Sequence, residues 1–343
     1  MNAPRWHPVA LFGLLIAVAL SAPLFVPAFA LSILSLVFIA ALLAASVNML
    51  VGQVGLLSLG QAGIAASAGY AVAWATVNGH PVGVQLTLAA LLALMTSAVY
   101  GVTTMRTGGI VFLMITLALG MIVYGLVFRL ASITGGQNGL TGVARPELLA
   151  NPAILYLLSV ALFALVTAGL RVVGRSPFGL TMRGVRDSES RMASLGYSVA
   201  SIKFRAVMLS GLIAGIAGVL AVWHAQFVSP AMAAFGRSAL AVVMVIVGGT
   251  GTLFGPLVGA GVAVGAEHWL SSYVERWSTV LGAVLILVVL YAPRGIVGEL
   301  AAVPERLARR RMPVHSSPNA AGPPTRRVPV GSGNSPTNEE ELE

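Results

Sequence analysis

Long apolar runs without charged residues recur along most of the chain, and they limit the folds that it can adopt. About 20 apolar residues in an α-helix span the hydrocarbon core of a bilayer. Only 9% of the residues are charged and 57% are hydrophobic, whereas soluble domains carry roughly a quarter charged residues. The sequence therefore predicts an all-α polytopic membrane protein with a single transmembrane domain over residues 1–302.

Apolar runs bounded by charged or turn residues give about ten candidate membrane spans. The eighth run is too short to cross a bilayer unaided, and the glycine-rich stretch from Gly248 to Pro256 after it predicts a broken or tilted helix. The candidates lie at 9–27, 30–51, 56–77, 82–103, 109–128, 152–170, 206–227, 238–249, 253–270 and 278–293.

The first apolar run has a second interpretation as a cleavable signal peptide. Arg5 precedes it, and Ala28-Phe29-Ala30 has the small-residue form of a cleavage site. The run is long, contains Pro23 and Pro27, and leads directly into another apolar run. These features favour a retained first helix.

Lysine and arginine predict the orientation, because short cytoplasmic loops retain them. With the N-terminus inside and ten crossings, 16 of the 20 cations fall inside, and Arg129, Arg145, Arg237 and Arg276 fall outside. Merging residues 238–270 into one crossing would move the arginines at 309–311 outside, so the pattern favours two crossings there. Both termini are then expected in the cytoplasm, with a periplasmic loop at 129–152 and a cytoplasmic loop at 171–205.

The net charge of +9 lies mostly in the loops between apolar runs. The cytoplasmic face of a lipid bilayer is therefore the expected partner of this charge, rather than nucleic acid. Residues 303–343 are rich in Pro, Ser, Gly and Asn, which predicts a disordered cytoplasmic tail. We expect a multi-pass protein of a bacterial-type cytoplasmic (inner) membrane.

The chain shows no energy source or catalytic constellation of its own. Its only lysine, Lys203, lies outside any P-loop motif, which excludes ATP hydrolysis through a P-loop. Carboxylates are absent before Glu147, and Glu267 is the only later one inside an apolar run, which disfavours ion-coupled transport. Sodium sites made of backbone carbonyls remain an alternative. Without cysteine, protease, hydrolase or paired-aspartate motifs, no catalytic or metal-binding residue is predicted.

A polar, glycine-rich stretch from Asn48 to Gly63 closes the second apolar run. Amides and hydroxyls at membrane depth must find partners, and glycines let backbones approach or interrupt a helix. This composition suits the lining of a translocation pathway, although the glutamines could instead bond only to neighbouring helices. The candidate pathway residues are Asn48, Gln53, Ser58 and Gln61.

The longest predicted external loop contains a dense set of turn-forming residues. Its position favours docking of an external protein or ligand, with an ordinary loop as the alternative. The candidate docking or gate residues are Thr134, Gly135, Gly136, Asn138, Gly139 and Thr141. His224 and Gln226 at a span end could also line a path, or simply sit at the membrane interface.

The longest predicted internal loop is basic. Residues 186–195 could form a short helix closed by Gly196, with a solvated, membrane-bound charged loop as the alternative. A second pattern is the four-residue spacing of Gly251, Gly255 and Gly259, which in an apolar helix predicts close helix packing. A moving interface is the weaker interpretation of these glycines.

Several stretches taken together resemble the LivM-type permease subunits of branched-chain amino-acid ABC importers. The resemblance covers residues from about 35 to 298 and implies a type II importer-like permease fold. It rests on Gly52-Gln53 to Gln61, Thr134-Gly135-Gly136-x-x-Gly139-Leu140-Thr141-Gly142, Ser176-Pro177-Phe178-Gly179 with Arg183 and Arg186, Phe227-Val228-Ser229-Pro230, Gly248-Gly249-x-Gly251-Thr252-Leu253-Phe254-Gly255-Pro256 and Ala292-Pro293-Arg294-Gly295.

The resemblance implies that a coupling segment, with Arg183, Arg186, Glu189 and Gly196, docks on a separate ATPase. Glu189 and Gly196 match the family pattern Glu-x-Ala-Ala-x-x-x-Gly there, whereas Arg191 and Met192 replace its two alanines.

The implied assembly has a second permease, two ATP-binding subunits that hold ATP and Mg²⁺, and an external binding protein. No cofactor is expected on this chain. Branched-chain amino acids are the family's usual cargo, and related systems carry urea or short amides. A self-sufficient channel or facilitator is the alternative function.

Overall fold

The structure is a computed structural model that describes residues 19–270, 282 and 295–299. Within these ranges the regular secondary structure is helical, and the only β-type pairing is an isolated antiparallel bridge between Leu140 and Val228. Most of the predicted spans at 9–27 and 278–293 lies outside the described residues. The predicted tail at 303–343 lies outside them entirely.

The α-helices longer than one turn within residues 19–270 are labelled α1 to α10. Helices α1, α3, α4, α5 and α8 are long and apolar enough to cross a membrane. The bounds are α1 Ala28–Met49, α2 Gln61–Val77, α3 Val82–Thr104, α4 Gly109–Arg129, α5 Pro152–Arg175, α6 Pro177–Asp187, α7 Glu189–Ser194, α8 Val199–Ala225, α9 Phe235–Gly248 and α10 Gly255–Leu270.

The helices follow the predicted apolar runs with three shifts. Helix α2 begins at Gln61 rather than at 56, because the backbone from Gly55 to Gly60 is not helical. Helix α5 continues to Arg175, and α8 begins at Val199 rather than at 206. The predicted internal loop at 171–205 is therefore helical at both of its ends.

Helix α8 packs closely on α2 and α3 through glycines. A Cβ atom at Gly211 would overlap the Ser97 side chain of α3, and one at Gly215 would lie 2.7 Å from the Ala93 methyl. A Cβ at Gly218 would overlap the Ala65 carbonyl group of α2. Small residues at such crossings allow the backbones of membrane helices to approach.

Helices α9 and α10 form an antiparallel hairpin. Gly248 lies against Gly255, and Gly259 lies against the backbone of Met244. The predicted break between residues 248 and 256 is confirmed, because α9 ends at Gly248 and α10 begins at Gly255.

The prediction of one packing face through Gly251, Gly255 and Gly259 is wrong for Gly251. Gly251 has φ +73° and lies in the turn between α9 and α10, outside any helix. Positive φ favours glycine for a conformational reason, so the four-residue spacing there is unrelated to a helical face. Of the three glycines, only Gly259 lies within a helix and packs against the middle of a neighbouring helix, because it contacts the backbone of Met244 in α9.

Hydrogen bonds between segments join the helix ends in two separate groups, which we call the basic end and the opposite end. The basic end comprises the end of α1, residues 105–108, residues 174–203 and the α9–α10 turn, joined by the side chains of Asn48, Arg186 and Lys203. The opposite end comprises the 130–151 loop and residues 223–234, joined by Leu140 and Arg145. The grouping matches the alternation of crossings that the arginines predict, while the side of the membrane stays a prediction.

Candidate functional site

The end of α1 is tied to the α9–α10 turn through Asn48. Its side-chain Nδ2 donates to the Thr252 carbonyl oxygen at 3.0 Å, and its Oδ1 accepts from the Gly251 amide at 2.7 Å. Beyond Asn48 the chain forms a π-helical turn, Leu50–Val54. In that turn Gly52 approaches Gly251 so closely that an added Cβ would lie 2.6 Å from the Gly251 Cα.

Gln61 bonds to a neighbouring helix. This fully buried side chain donates from Nε2 to the Ser210 hydroxyl of α8 at 3.0 Å, and Ser210 donates onward to the Ser46 carbonyl of α1 at 2.7 Å. Ser58 is also buried, and its hydroxyl accepts from the Gly60 amide at 3.3 Å. Gln61 thus bonds to a neighbouring helix, as the alternative interpretation of the polar stretch describes, whereas Ser58 bonds within its own loop.

An apolar cavity of about 320 Å³ lies between α1, α2, α8 and α9. Leu36, Ile39 and Leu43 of α1 form one wall, and Leu240 and Met244 of α9 form another. Three polar residues also line it: His224, Ser229 and Arg237. None of the four predicted pathway residues lines this cavity.

A second, polar cavity of about 210 Å³ contains Asn48 and Gln53. Its cationic lining consists of Arg171, Arg175 and Arg183, and we call it the arginine pocket. The four candidate pathway residues are therefore split, with Asn48 and Gln53 at the arginine pocket and Ser58 and Gln61 buried outside both cavities.

The 130–151 loop is folded back on the end of α4 and on the segment after α8. Thr134 donates its hydroxyl to the carbonyls of Val127 and Leu130, at 2.6 and 2.8 Å. Leu140 and Val228 exchange two backbone hydrogen bonds of 2.9 and 3.1 Å. Since Val228 also lines the apolar cavity, the loop lies at an edge of that cavity.

Glycines make the pairing of this loop possible. Gly135, Gly136 and Gly139 all have positive φ, and a Cβ at Gly139 would overlap the Val228 carbonyl oxygen. Of the remaining candidates, Asn138 ends a 3₁₀ turn, Gly136–Asn138, and Thr141 is exposed beside the bridge. The six predicted docking residues thus form one structural unit.

Arg145 provides a second attachment of the same loop. Its Nε donates to the Trp223 carbonyl and its Nη2 to the His224 carbonyl, in the last turn of α8. A cation there satisfies carbonyls that have no intrahelical partner and complements the helix dipole. Burial lowers the pKa of the Arg145 guanidinium, which remains protonated at neutral pH.

Two short helices form the predicted coupling segment at the basic end. Ser176 caps α6 by accepting from the Gly179 amide, and Ser188 caps α7 by accepting from the Arg191 amide, both at 3.3 Å. Gly196, with φ +85°, follows the end of α7. The short helix predicted over 186–195 is therefore present only over Glu189–Ser194, because the extended Ser188 separates it from α6, which ends at Asp187.

The two departures from the family pattern in α7 have different surroundings. Met192 is buried, and its thioether packs on Gly184 of α6, where a Cβ would lie 2.6 Å from the sulfur. Arg191 is exposed. Met192 thus fixes α7 on α6, whereas Arg191 changes only the outer surface.

Arginines of α6 attach the coupling segment to the membrane helices. Arg183 donates to the Gly174 carbonyl of α5 at 2.8 Å. Arg186 donates to the Gly52 carbonyl of the π turn at 2.6 Å and lies 3.5 Å from Asp187. The segment is therefore bonded both to α5 and to the end of α1.

Glu189 joins α7 to α8 through Lys203. The Lys203 ammonium lies 2.7 Å from the Glu189 carboxylate and donates to the Thr107 carbonyl at 2.7 Å. The lysine side chain is only 1% exposed, whereas that of Glu189 is 48% exposed. Sequence reasoning did not select Lys203 as a site residue, although its being the only lysine in the chain was the available signal.

Comparison with known proteins identifies the family. Residues 29–290 match the family described as the permease component of the branched-chain amino acid transport system. The chain belongs to this permease family. It is accordingly a multi-pass membrane protein of the transport-permease class, whose members are not enzymes.

Two relatives of this permease are high-affinity branched-chain amino acid transport system permease proteins LivM, from Salmonella typhimurium and Escherichia coli. They are 28% and 29% identical to the chain over 314 residues, covering 82% of this chain and 73% of each relative. No solved structure gives a significant match. The resemblance inferred from the motifs is thereby confirmed at the level of the family.

Proposed function

We propose that this permease is one membrane-spanning subunit of a binding-protein-dependent ABC importer in a bacterial-type inner membrane. It would move branched-chain amino acids, or related small polar solutes such as urea and amides, into the cell. A separate pair of ATP-binding subunits would hydrolyse ATP with Mg²⁺. The relatives' names, which specify branched-chain amino acid transport, support the cargo.

The observation that carries this proposal is the bonding of the coupling segment to the helices around the apolar cavity. Glu189 of α7 is paired with Lys203 of α8, and Arg186 of α6 is bonded to Gly52 at the end of α1. Helices α1 and α8 both line the cavity. A displacement of α6 and α7 by an ATPase would therefore move two cavity walls, as alternating access requires.

The outer surface of the coupling segment suits contact with another protein. Leu195 and Tyr197 are exposed beside Gly196, with relative exposures of 67% and 48%. Exposed apolar side chains rimmed by charges mark sites of protein interaction more often than scattered single ones do. We assign this tip, with Arg191, to the ATPase contact.

The apolar cavity has the chemistry that an aliphatic amino acid needs. Leucine, isoleucine and methionine side chains line its walls, and the exposed guanidinium of Arg237 stands at its lining. An arginine can receive a carboxylate in bidentate fashion, while the apolar walls accept a branched side chain. We expect the second permease to complete the pathway.

The 130–151 loop is the proposed contact for the external binding protein. Two attachments, the Leu140–Val228 bridge and the Arg145 hydrogen bonds, hold it beside the cavity and the end of α8. A docked binding protein would thus act on the cavity edge directly.

The test is reconstitution in liposomes with the second permease, the ATPases and the binding protein. Uptake of labelled leucine that needs both ATP and binding protein is the expected result. Glu189→Lys should lower substrate-stimulated ATP hydrolysis at least tenfold, whereas Asp187→Lys, an equal charge change on the neighbouring exposed residue, should retain it. Normal stimulation in a stable Glu189→Lys complex would refute the coupling role, and ATP-independent flux through the chain alone would indicate a channel or facilitator.

A further inference from the structure

The arginine pocket holds three positive charges with no negative partner in the described structure. Arg171, Arg175 and Arg183 line the cavity of about 210 Å³, and no Asp or Glu among the described residues lines it. The nearest carboxylates along the chain, Asp187 and Glu189, are paired with Arg186 and Lys203. Within the described residues, this cluster therefore carries positive charge that no carboxylate neutralises.

Like charges are arranged at short spacing on one helix. Arg171 and Arg175 are four residues apart on α5, so both point to one helix face, where like charges at this spacing destabilise a helix. Arg183 approaches from α6 and satisfies the Gly174 carbonyl at 2.8 Å. One cation is enough to satisfy this carbonyl at the end of α5. Arg171 and Arg175 make no comparable hydrogen bond among the described contacts.

The pocket also contains an unsatisfied polar atom. The buried Oε1 of Gln53 has no hydrogen-bond partner among the described residues, and Gln53 lines the same cavity. A buried acceptor without a partner costs free energy unless a ligand or water satisfies it. A ligand for this pocket thus combines a negative charge for the arginines with a donor for Gln53.

The pocket lies at the end of α5, where the apolar part of this helix gives way to arginines. The apolar part of α5 runs up to Leu170, directly before Arg171. On the neighbouring face, Leu165 and Val172 are exposed at 68% and 70%. These two are seven residues apart, so they form a lipid-facing apolar stripe that reaches the level of the arginines.

We propose that the arginine pocket binds the headgroup of an anionic phospholipid with hydroxyl groups, such as phosphatidylglycerol. The phosphate accepts hydrogen bonds from Arg171 and Arg175, which suit bidentate recognition. A headgroup hydroxyl donates to Gln53 Oε1, and the acyl chains lie along Leu165 and Val172. Basic pockets between membrane helices at the cytoplasmic face bind such headgroups in general.

The consequence concerns the assembly of the basic end. The same pocket is lined by Asn48 of α1, Gly251 and Thr252 of the α9–α10 turn and Arg183 of the coupling segment. A headgroup bound in this pocket would therefore lie among three separate segments. We expect it to stabilise their mutual arrangement, as any ligand that binds only the native state does.

The test uses the purified full chain in detergent, analysed by native mass spectrometry and thermal unfolding. Wild type should retain one phosphatidylglycerol and gain thermal stability from it, with no gain from phosphatidylcholine or from inorganic phosphate at equal concentration. The Arg171→Gln/Arg175→Gln variant should bind phosphatidylglycerol about thirtyfold more weakly, the effect of about 1 kcal/mol for each arginine. Gln53→Leu should weaken the binding of phosphatidylglycerol but should not change the binding of an anionic lipid that has no headgroup hydroxyls.

The matched control is Arg106→Gln/Arg205→Gln. It removes the same charge from two exposed residues that lie at or near the basic end but do not line the pocket. It should bind the lipid as wild type does. Equal stabilisation by phosphatidylcholine, or unchanged binding in the pocket variant, would overturn the proposal. An equal gain from inorganic phosphate would assign the site to a free anion, and loss of ATPase binding with unchanged lipid retention would assign it to a protein contact. If the pocket variant does not fold, the wild-type comparison of the three ligands still decides.

Discussion

The ammonium of Lys203 lies 2.7 Å from the carboxylate of Glu189, and this ion pair joins a short helix at the basic end to the longest described membrane helix. The two partners are in unequal surroundings, since the lysine is buried and the glutamate is half exposed. Removing one partner is therefore not equivalent to removing the other.

Glu189→Gln should destabilise the protein more than Lys203→Met does. The glutamine variant leaves a buried ammonium without a counter-charge, facing only neutral oxygens such as the Thr107 carbonyl, whereas the methionine variant removes the buried charge and leaves a carboxylate that water can reach. We expect a loss of about 1–3 kcal/mol for Glu189→Gln, below the 3–5 kcal/mol typical of fully buried pairs. Thermal unfolding in detergent measures the difference. Asp187→Asn, in an exposed pair with Arg186, is the control and should have almost no effect; the reverse order of the two variants would contradict the prediction.

Gly139→Ala should disrupt the 130–151 loop, while Gly142→Ala should be tolerated better. Both glycines have positive φ, at +69° and +74°, so both variants carry backbone strain. The strain is larger at Gly139, because its ψ of −169° places it in a region that is essentially restricted to glycine. Only at Gly139 does a Cβ also overlap the Val228 carbonyl, and nothing lies within 4 Å at Gly142. Limited proteolysis of the loop should be clearly faster for Gly139→Ala. Equal rates in the two variants would contradict this prediction.

Arg145→Gln should loosen the loop from the end of α8. The variant loses two charge-assisted hydrogen bonds to the Trp223 and His224 carbonyls, each worth about 1.5–3 kcal/mol. Hydrogen exchange of the amides around residues 140–146 should therefore accelerate at least tenfold. Arg129→Gln, at an exposed position at the end of α4, should leave the exchange unchanged. Unaltered protection in Arg145→Gln would mean that the bridge alone holds the loop.

Asn48→Ala should weaken the contact between α1 and the α9–α10 turn. Its loss leaves the Gly251 amide and the Thr252 carbonyl without their partner, at a cost of about 1–3 kcal/mol. Asn48→Asp keeps the acceptor for Gly251 but sets a carboxylate against the Thr252 carbonyl, so it should also destabilise. Asn78→Ala is the control, because Asn78 bonds only within its own turn at an exposed site. Thermal unfolding that ranks Asn78→Ala with Asn48→Ala would refute this account.

The described helix bounds were predictable where a charged or turn residue interrupts an apolar run. The start of α4 beyond Arg106 and the break after Gly248 follow this rule, because charges are costly inside a lipid-facing helix and because Gly249 and Gly251 adopt positive φ, which interrupts the helix. The start of α8 did not follow it. Lys203 lies inside the helix because a glutamate 14 residues earlier and a carbonyl 96 residues earlier surround its ammonium.

The candidate site was predictable as segments but not as contacts. The positions of Thr134 to Gly139 in one loop follow from their turn chemistry, and the segment that the family motifs group, residues 183–196, forms α6 and α7 at one end of the helices. The partner of Asn48 lies about 200 residues away, and the spacing of Gly251 imitates a helix face although the residue occupies a turn. Such pairings depend on how helices assemble, which local sequence patterns do not record.

Helix α8 carries both Lys203, near its start, and the carbonyls of Trp223 and His224, near its end. It contains no proline, and its 27 residues correspond to a length of roughly 40 Å at 1.5 Å per residue. If α8 tilts as a rigid rod about its start near Lys203, a small rotation produces a larger displacement at its end, where Arg145 attaches the 130–151 loop. The length of this one helix would then set how far its end moves for a given tilt. Shortening α8 by one turn would reduce this displacement without changing the hydrogen bonds at either end.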